Sequence, residues 1–421
     1  MREFSIYSCE RSIASGVDGL KPSQRKVIFG MQKKFNNQEV KVSIASAGVM
    51  EISAYHHGSL DGVIVNMAQA FPGANNAPLL DSIGQFGSRI SPEAAATRYI
   101  FTQLSENFRK LFKPVDNNIL EYNEDDGQIV EPKYYLPILP PLLLNGTEGM
   151  GTGYASSVFA YNPEDVKQNI LDILKGRTPA PLIPWYRGFT GDISRDGDQA
   201  IITGVLEVLN TTTIEISELP IGAYTTKYRD VLNTLEDKGL IKSYSDDSDE
   251  ERTKFTVRVS REVGSMEMDE LIQMFKLQKR GTENITVWTD EFKLRKFDTV
   301  NDYLKWFVAF RLSKYDLRKE YLLKTMMDKK VELEEAIRFI RLYLRRSKAW
   351  SEAANKDIIA ELEKAKFTRI EELLSIRVSR LTGEAIEKME AQIIELKADI
   401  EKLLKMTPKD LYLADLHELK V

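Results

Sequence analysis

The sequence has a single cysteine in 421 residues, Cys9, so no disulfide can close within the chain and no cysteine-based zinc site can be assembled. It has no apolar run of membrane-spanning length. The longest, Leu136 to Leu144 (LPILPPLLL), is short and carries three prolines, and no basic segment followed by an apolar stretch opens the chain. A cytoplasmic protein with no membrane partner is the expectation. No G-x-x-x-x-G-K-[ST] occurs, which excludes a P-loop. The glycine-rich Gly146 to Gly153 (GTEGMGTG) lacks the strand-turn-helix setting and the following acid of a dinucleotide site. The acidic run Asp246 to Glu251 reads as a solvated loop tip, and His417 as part of an ordinary amphipathic tail. The net charge of −5 argues against nucleic acid, but its distribution does not. Up to Lys113 there are 13 Lys and Arg against 9 Asp and Glu, so a basic N-terminal quarter precedes an acidic remainder.

Length and a 43% hydrophobic content predict several domains. The first quarter reads as short helices, among them Gln24 to Lys34 and Asp61 to Phe71, the second stopped by Pro72-Gly73. A helix is also expected directly after the Glu93 to Phe101 stretch, EAAATRYIF. From Tyr134 to about Trp288 β-branched runs alternate with helical ones: Ala200 to Leu209, Thr213 to Ile216, Lys254 to Val259, and the helix Lys227 to Lys238. Beyond Val300, Ile386, Met389, Ile393, Leu396, Ile400 and Leu403 follow a 3-4-3-4-3 spacing. A looser seam of Tyr315, Leu322, Met326, Leu333, Ile337, Ile340 and Leu344 predicts an antiparallel partner helix, and about forty residues between them predict a helical knob on a long stalk. The fold class is multidomain α/β with a long helical stalk.

Candidate chemistry concentrates in the first 150 residues. Arg11 to Lys26 (RSIASGVDGLKPSQRK) suits a surface that grips phosphates. Tyr55-His56-His57-Gly58 is expected to set two imidazoles at a helix start, where the dipole favours an anion. Asp81 to Arg89 (DSIGQFGSR) is a tight loop bearing an arginine, and Arg98-Tyr99 follows. Taken singly, each has an ordinary reading: a core tyrosine, a surface histidine pair, a methionine under a glycine loop.

Together and in this order, RSIASGVDGLKPSQRKVIFGM, AYHHG, GQFGSR, AAATRYIF and NGTEGMGTGYASS resemble the breakage-reunion core of type IIA DNA topoisomerases. The resemblance continues through LLSIRVSRLT (Leu373 to Thr382) and DLYLADLHEL (Asp410 to Leu419). The adjacent His56-His57 is closer to eukaryotic and T4-like phage enzymes than to gyrase. The chain looks most like the separate cleavage subunit of a T4-like phage enzyme, located in the host cytoplasm if phage-encoded. On that resemblance no DNA-wrapping repeat is expected to follow Val421.

The resemblance implies a winged-helix DNA-gate domain over residues 1–115, an α/β tower over 116–300 with a DNA-intercalating loop near its start, and a coiled-coil stalk over 301–421 whose knob, about 345–383, is the dimerising C-gate. It implies Tyr99 as the nucleophile of a transient 5'-phosphotyrosyl bond, with Arg98, Arg11 and His57 acting on the phosphate. Lys21, Arg25, Lys26, His56 and Arg89 would contact double-stranded DNA, and Met150 would wedge between base pairs. Mg2+ and ATP would be bound by a partner subunit, with no metal site in this chain, where Glu121, Glu124, Asp125 and Asp126 are the fallback acids. Two departures stand out. Ala14 replaces the usual proline, an exchange expected to be tolerated. Arg11 lies ten residues from the start where relatives carry a longer segment, which implies a clipped chain or a shorter arm toward that partner. The competing readings are a DNA-bending architectural dimer without cleavage activity, and an SMC-like stalk that the missing Walker motif disfavours.

Overall fold

The computed structural model describes residues 2–377, 379 and 381–420. Met1, Val421, and Val378 and Arg380 of LLSIRVSRLT lie outside the described residues. Two compact units are formed, Met1–Arg311 with Leu413–Val421, and Leu312–Tyr412. No helix among the described residues is long and apolar enough to cross a membrane.

The first unit opens with α1 (Arg2–Ser12), α2 (Pro22–Lys33), β1 (Val40–Lys41), α3 (Val42–Ile52) and α4 (Asp61–Ala68), followed by β2 (Phe101–Thr102) and α5 (Glu106–Leu111). Pro22 starts α2 where its missing N–H costs nothing, and the Gln24 side chain accepts from the Lys21 N–H (2.9 Å). Gly30 of α2 lies against Val49 of α3, an approach that any larger side chain would block. The helix expected to run to Phe71 ends at Ala68, because Asn75 Nδ2 donates to the carbonyls of Asn66 (2.7 Å) and Gln69 (2.9 Å) and caps it early. No helix follows Tyr99 directly. Phe101 and Thr102 pair antiparallel with Lys41 and Val40, and α5 waits for Ser105, whose hydroxyl accepts from the Phe108 N–H (3.1 Å).

The hairpin β3 (Tyr122–Asp125) and β4 (Gln128–Pro132) turns at Asp126 and Gly127, both at positive φ. Next come α6 (Pro141–Asn145), the hairpin β5 (Thr147–Gly151) and β6 (Tyr154–Val158), and α7 (Pro163–Leu174). Then follow β7 (Asp192–Asp196), β8 (Gln199–Thr203), β9 (Val205–Asn210), β10 (Thr213–Glu218), α8 (Thr225–Asp237), β11 (Ile241–Asp246), β12 (Phe255–Val259), α9 (Met268–Met274), β13 (Gln278–Thr282), β14 (Ile285–Trp288) and β15 (Leu294–Phe297). One sheet has the order β11-β12-β10-β9, another β13-β8-β7. The apolar faces of α8 and α9 cover the larger sheet around Ile214, Ile216, Tyr228, Leu232, Phe255 and Leu271. The Ala200 to Leu209 run, read as one strand, is divided between the two sheets. Gly204 makes the break, where its N–H donates to Leu277 O (2.8 Å) and its Cα abuts the Glu218 carbonyl too closely for a Cβ.

Helix α10 (Val300–Trp350) leads into the second unit, followed by α11 (Asn355–Lys364), α12 (Ile370–Leu374), α13 (Gly383–Lys405) and α14 (Pro408–Glu418). Within this unit α10 and α13 run antiparallel. Lys319 Nζ donates to the carbonyls of Leu404 (3.1 Å) and Met406 (2.6 Å), Leu333 and Ile337 pack with Ile393, and Arg341 pairs with Glu390 (2.6 Å). The upper seam differs from the expected one. Ala336, Phe339 and Ile340 face Trp350, Leu362, Phe367, Leu373 and Leu381, while Leu344 is exposed. The drift follows from 3.6 residues per turn on a helix too long to hold a strict heptad face without supercoiling.

Candidate functional site

Tyr99 lies on a turn, its N–H donating to Ala96 O (2.9 Å) and its side chain 67% exposed. The turn is clamped from three sides. The first two N–H groups of α3, on Val42 and Ser43, donate to Ile100 O (3.0 Å) and Thr97 O (3.3 Å), so donors that a helix start leaves orphaned hold the loop. Thr97 Oγ1 donates to Asp61 Oδ2 (3.0 Å) in the first turn of α4, and Ile100 is buried beneath. The Arg98 guanidinium lies over the Tyr99 ring, 4.8 Å from its centre. Among the described residues the Tyr99 hydroxyl has no hydrogen-bond partner.

His56 and His57 are exposed on the loop before α4, not on the helix start. Two of the backbone donors there are already taken: Leu60 N–H by Ser46 Oγ (3.0 Å) and Asp61 N–H by Ser59 Oγ (3.0 Å). His57 Nε2 is instead 2.7 Å from the Tyr7 hydroxyl, and the Tyr55 ring meets it edge-on at 5.6 Å. Arg11, one turn along α1 from Tyr7, places its guanidinium 5.6 Å from the Tyr7 ring centre. Tyr7 is not among the residues that the motifs single out, although its i,i+4 spacing from Arg11 is a signal the sequence carries.

The hairpin of β5 and β6 explains the glycines around Met150. Gly149 and Gly151 face α1 so closely that a Cβ on either would strike Ser12 or Cys9, and strand alternation sends Met150 outward. Met150 is 86% exposed, which excludes the core reading. Ser8 Oγ accepts from the Thr152 N–H (3.2 Å), fixing hairpin to helix. Lys21 Nζ donates to Glu148 O (2.7 Å), and burial lowers this ammonium below its ordinary value, with Glu148 opposing. Ala14, in place of the usual proline, is buried and accepts from Trp288 N–H (3.1 Å).

Three cations expected on a DNA-binding surface are engaged inside the fold. Arg25 is 7% exposed and bound in a fork by Asp18 (2.8 and 3.0 Å). Arg89 is 4% exposed, paired with Glu218 and donating to Leu219 O (2.8 Å). Lys26 bridges Glu131 (2.8 Å) and the Ser53 carbonyl. A buried ion pair satisfies its own charge and leaves none for a phosphate. The structure thus groups Arg98 with Tyr99, Arg11 with His57 through Tyr7, and Lys21 with the Met150 strand. Among the described residues no three His, Cys, Asp or Glu side chains gather as metal donors. Glu121 pairs with Lys133 (2.8 Å), and Glu124, Asp125 and Asp126 follow it into an exposed hairpin, so these acids do not fit a resident metal.

Residues 11–419 match the family model described as the A-type subunit of DNA gyrase/topoisomerase IV. The chain belongs to this family. Topoisomerase relatives include the mitochondrial DNA topoisomerase 2 of Dictyostelium discoideum, 36% identical over 97% of this chain and 33% of its own. Human DNA topoisomerase 2-alpha is 42% identical over 80% of this chain and 23% of its own. The chain therefore spans about a third or less of these relatives. The Plasmodium falciparum topoisomerase II DNA-binding, cleavage and re-ligation domain superposes with a TM-score of 0.94 at 33% identity, over 99% of this chain and 62% of that one. The fold is the topoisomerase II DNA-binding and cleavage fold, mixed α/β with a long helix.

Proposed function

We propose that this chain is the DNA breakage-reunion part of an ATP-dependent type II DNA topoisomerase. The observation that carries the reading is an exposed tyrosine hydroxyl on a turn clamped to two helix starts, with a guanidinium on its ring. The Tyr99 oxygen attacks a backbone phosphorus and forms a 5'-phosphotyrosyl ester, while the bond to O3' breaks and that oxygen leaves as the 3'-hydroxyl. Religation is the reverse, so no bond energy is lost while a second duplex passes. Arg98 and Arg11 offset charge on the pentacoordinate phosphate, and His57 assists proton transfer or binds the developing charge. Lys21 and His56 are left as backbone contacts. The proposed domains are a winged-helix gate (1–115), a tower (116–300) and a stalk (301–421) with its knob at about 345–383, where two copies meet.

Magnesium and ATP act, on this reading, through a partner segment that supplies the metal and nucleotide sites; magnesium there neutralises phosphate charge. Whether that segment is a separate subunit, as in T4-like phage enzymes, or belongs to the same polypeptide, as the eukaryotic relatives suggest, is decided by the gene and its product. The adjacent His56-His57 is compatible with either, and a cytoplasmic location is proposed with the phage arrangement. The testing experiment is reconstitution. The chain alone is expected to dimerise and bind duplex DNA without cleaving it, and to cleave with magnesium once the partner segment is added. Binding and bending without cleavage in the reconstituted system establishes the architectural reading instead.

Met150→Ala is expected to reduce DNA bending and cleavage together, cleavage by about tenfold, because an unwedged duplex keeps its stacking and stays too straight to reach Tyr99. Fluorescence transfer between labelled DNA ends reports the bend, and unchanged bending rejects the wedge.

A further inference from the structure

The Tyr7 hydroxyl and His57 Nε2 form a 2.7 Å hydrogen bond between α1 and the loop before α4, in a part of the chain to which the reading above gives only Arg11, His56 and His57. A phenol is the more acidic donor of the two, and an unprotonated imidazole nitrogen the better acceptor. The bond therefore runs from Tyr7 to Nε2. The Arg11 guanidinium over the face of the Tyr7 ring (5.6 Å) favours electron density moving toward the ring, in the same direction. The Tyr55 ring also meets the imidazole edge-on (5.6 Å, 81°), so two tyrosines contact it. His57 Nδ1 has no hydrogen-bond partner among the described residues.

We infer that Tyr7 is a positioning residue for His57: by donating to Nε2 it fixes the neutral imidazole as the Nδ1–H tautomer, so that His57 offers a phosphate an N–H donor rather than a lone pair for a proton. This rests on the proposed cleavage function and chooses between the two roles left open there for His57. It also ties His57 to the wedge. Ser8, next to Tyr7, accepts from Thr152 at the tip of the Met150 hairpin, and α1 carries both contacts. A change in the hairpin on DNA is then transmitted to the imidazole along one rigid helix.

The sequence has three histidines, so selective 15N-histidine labelling of the full chain gives a spectrum that His57→Gln assigns. The wild-type chain at pH 8 is expected to show a protonated Nδ1 and an unprotonated Nε2 at His57, and Tyr7→Phe to shift it toward the Nε2–H tautomer, with the melting curve unchanged because Tyr7 is exposed. With the partner segment and a short nicked DNA duplex, Tyr7→Phe is expected to slow adduct formation about tenfold, the scale of one hydrogen bond, while duplex affinity stays the same. An Nε2–H wild-type His57, or a Tyr7→Phe spectrum identical to wild type, overturns the inference. Absence of any adduct in the wild-type reconstitution refutes the cleavage function instead, and the tautomer is read independently of it.

Discussion

Tyr99→Phe is expected to abolish covalent attachment to DNA entirely and to leave duplex affinity within a few fold. The two halves of this expectation have different physical origins. Attachment requires one oxygen, and phenylalanine removes it without disturbing the turn, because the backbone bonds that hold Thr97, Tyr99 and Ile100 and the Thr97 to Asp61 bond do not involve the phenol. Arg98 keeps an aromatic face to lie on. Affinity, by contrast, is a sum over many phosphate contacts, none of which needs that hydroxyl. Denaturing gels of labelled duplex after reconstitution with the magnesium-bearing partner segment report the adduct, and filter binding reports affinity. Residual phosphotyrosyl product in the variant moves the nucleophile to another residue. Tyr7, Tyr55 and Tyr154, exposed or half-buried within or beside the same motifs, are then the first to replace.

The candidate positions could be named from the sequence because they are carried by long contiguous motifs, and the motifs fold into contiguous structure. Arg98 and Tyr99 stack as neighbours, and the glycine alternation around Met150 specifies a strand with one face pressed on a helix. The pairing of α10 with α13 was legible for a similar reason, since a seam repeats along the helix and any few of its residues betray it. What was illegible depends on partners distant in sequence. Nothing local distinguishes Arg89, which Glu218 neutralises from 129 residues away, from a surface arginine. Lys26 finds Glu131 in the same way. A count of cations in a motif overestimates the charge that reaches a surface, because the motif's own acids and distant ones bind some of them. The break at Gly204 was hidden for a related reason: the run reads as a strand throughout, and only the approach of the Glu218 carbonyl makes the glycine a boundary between sheets.

The same consideration makes Asp18→Ala the variant with the largest expected cost in stability, about 3–5 kcal/mol, although Asp18 has no part in the proposed chemistry. Its carboxylate is fully buried and accepts four hydrogen bonds: from Arg25 Nε (2.8 Å) and Nη2 (3.0 Å), and from the backbone N–H groups of Leu20 (3.0 Å) and Tyr135 (3.0 Å). Removing it strands a buried guanidinium whose remaining fork partner is the Leu20 carbonyl (3.1 Å), and unpairs two backbone donors. The penalty is that of an uncompensated charge rather than the net worth of the ion pair, which sets up a decisive comparison. Asp18→Ala combined with Arg25→Met is expected to recover a large part of the loss, because the charge that lacked a partner is then gone. Urea denaturation of the wild type, the single variant and the double variant measures this directly. A single-variant cost below about 1 kcal/mol, in the range of exposed pairs, indicates that Arg25 reaches solvent and is free for a phosphate after all. Because Asp18 also fixes the bend that delivers Lys21 to the Glu148 carbonyl beside Met150, the destabilised variant is expected to weaken the wedge as well as the fold.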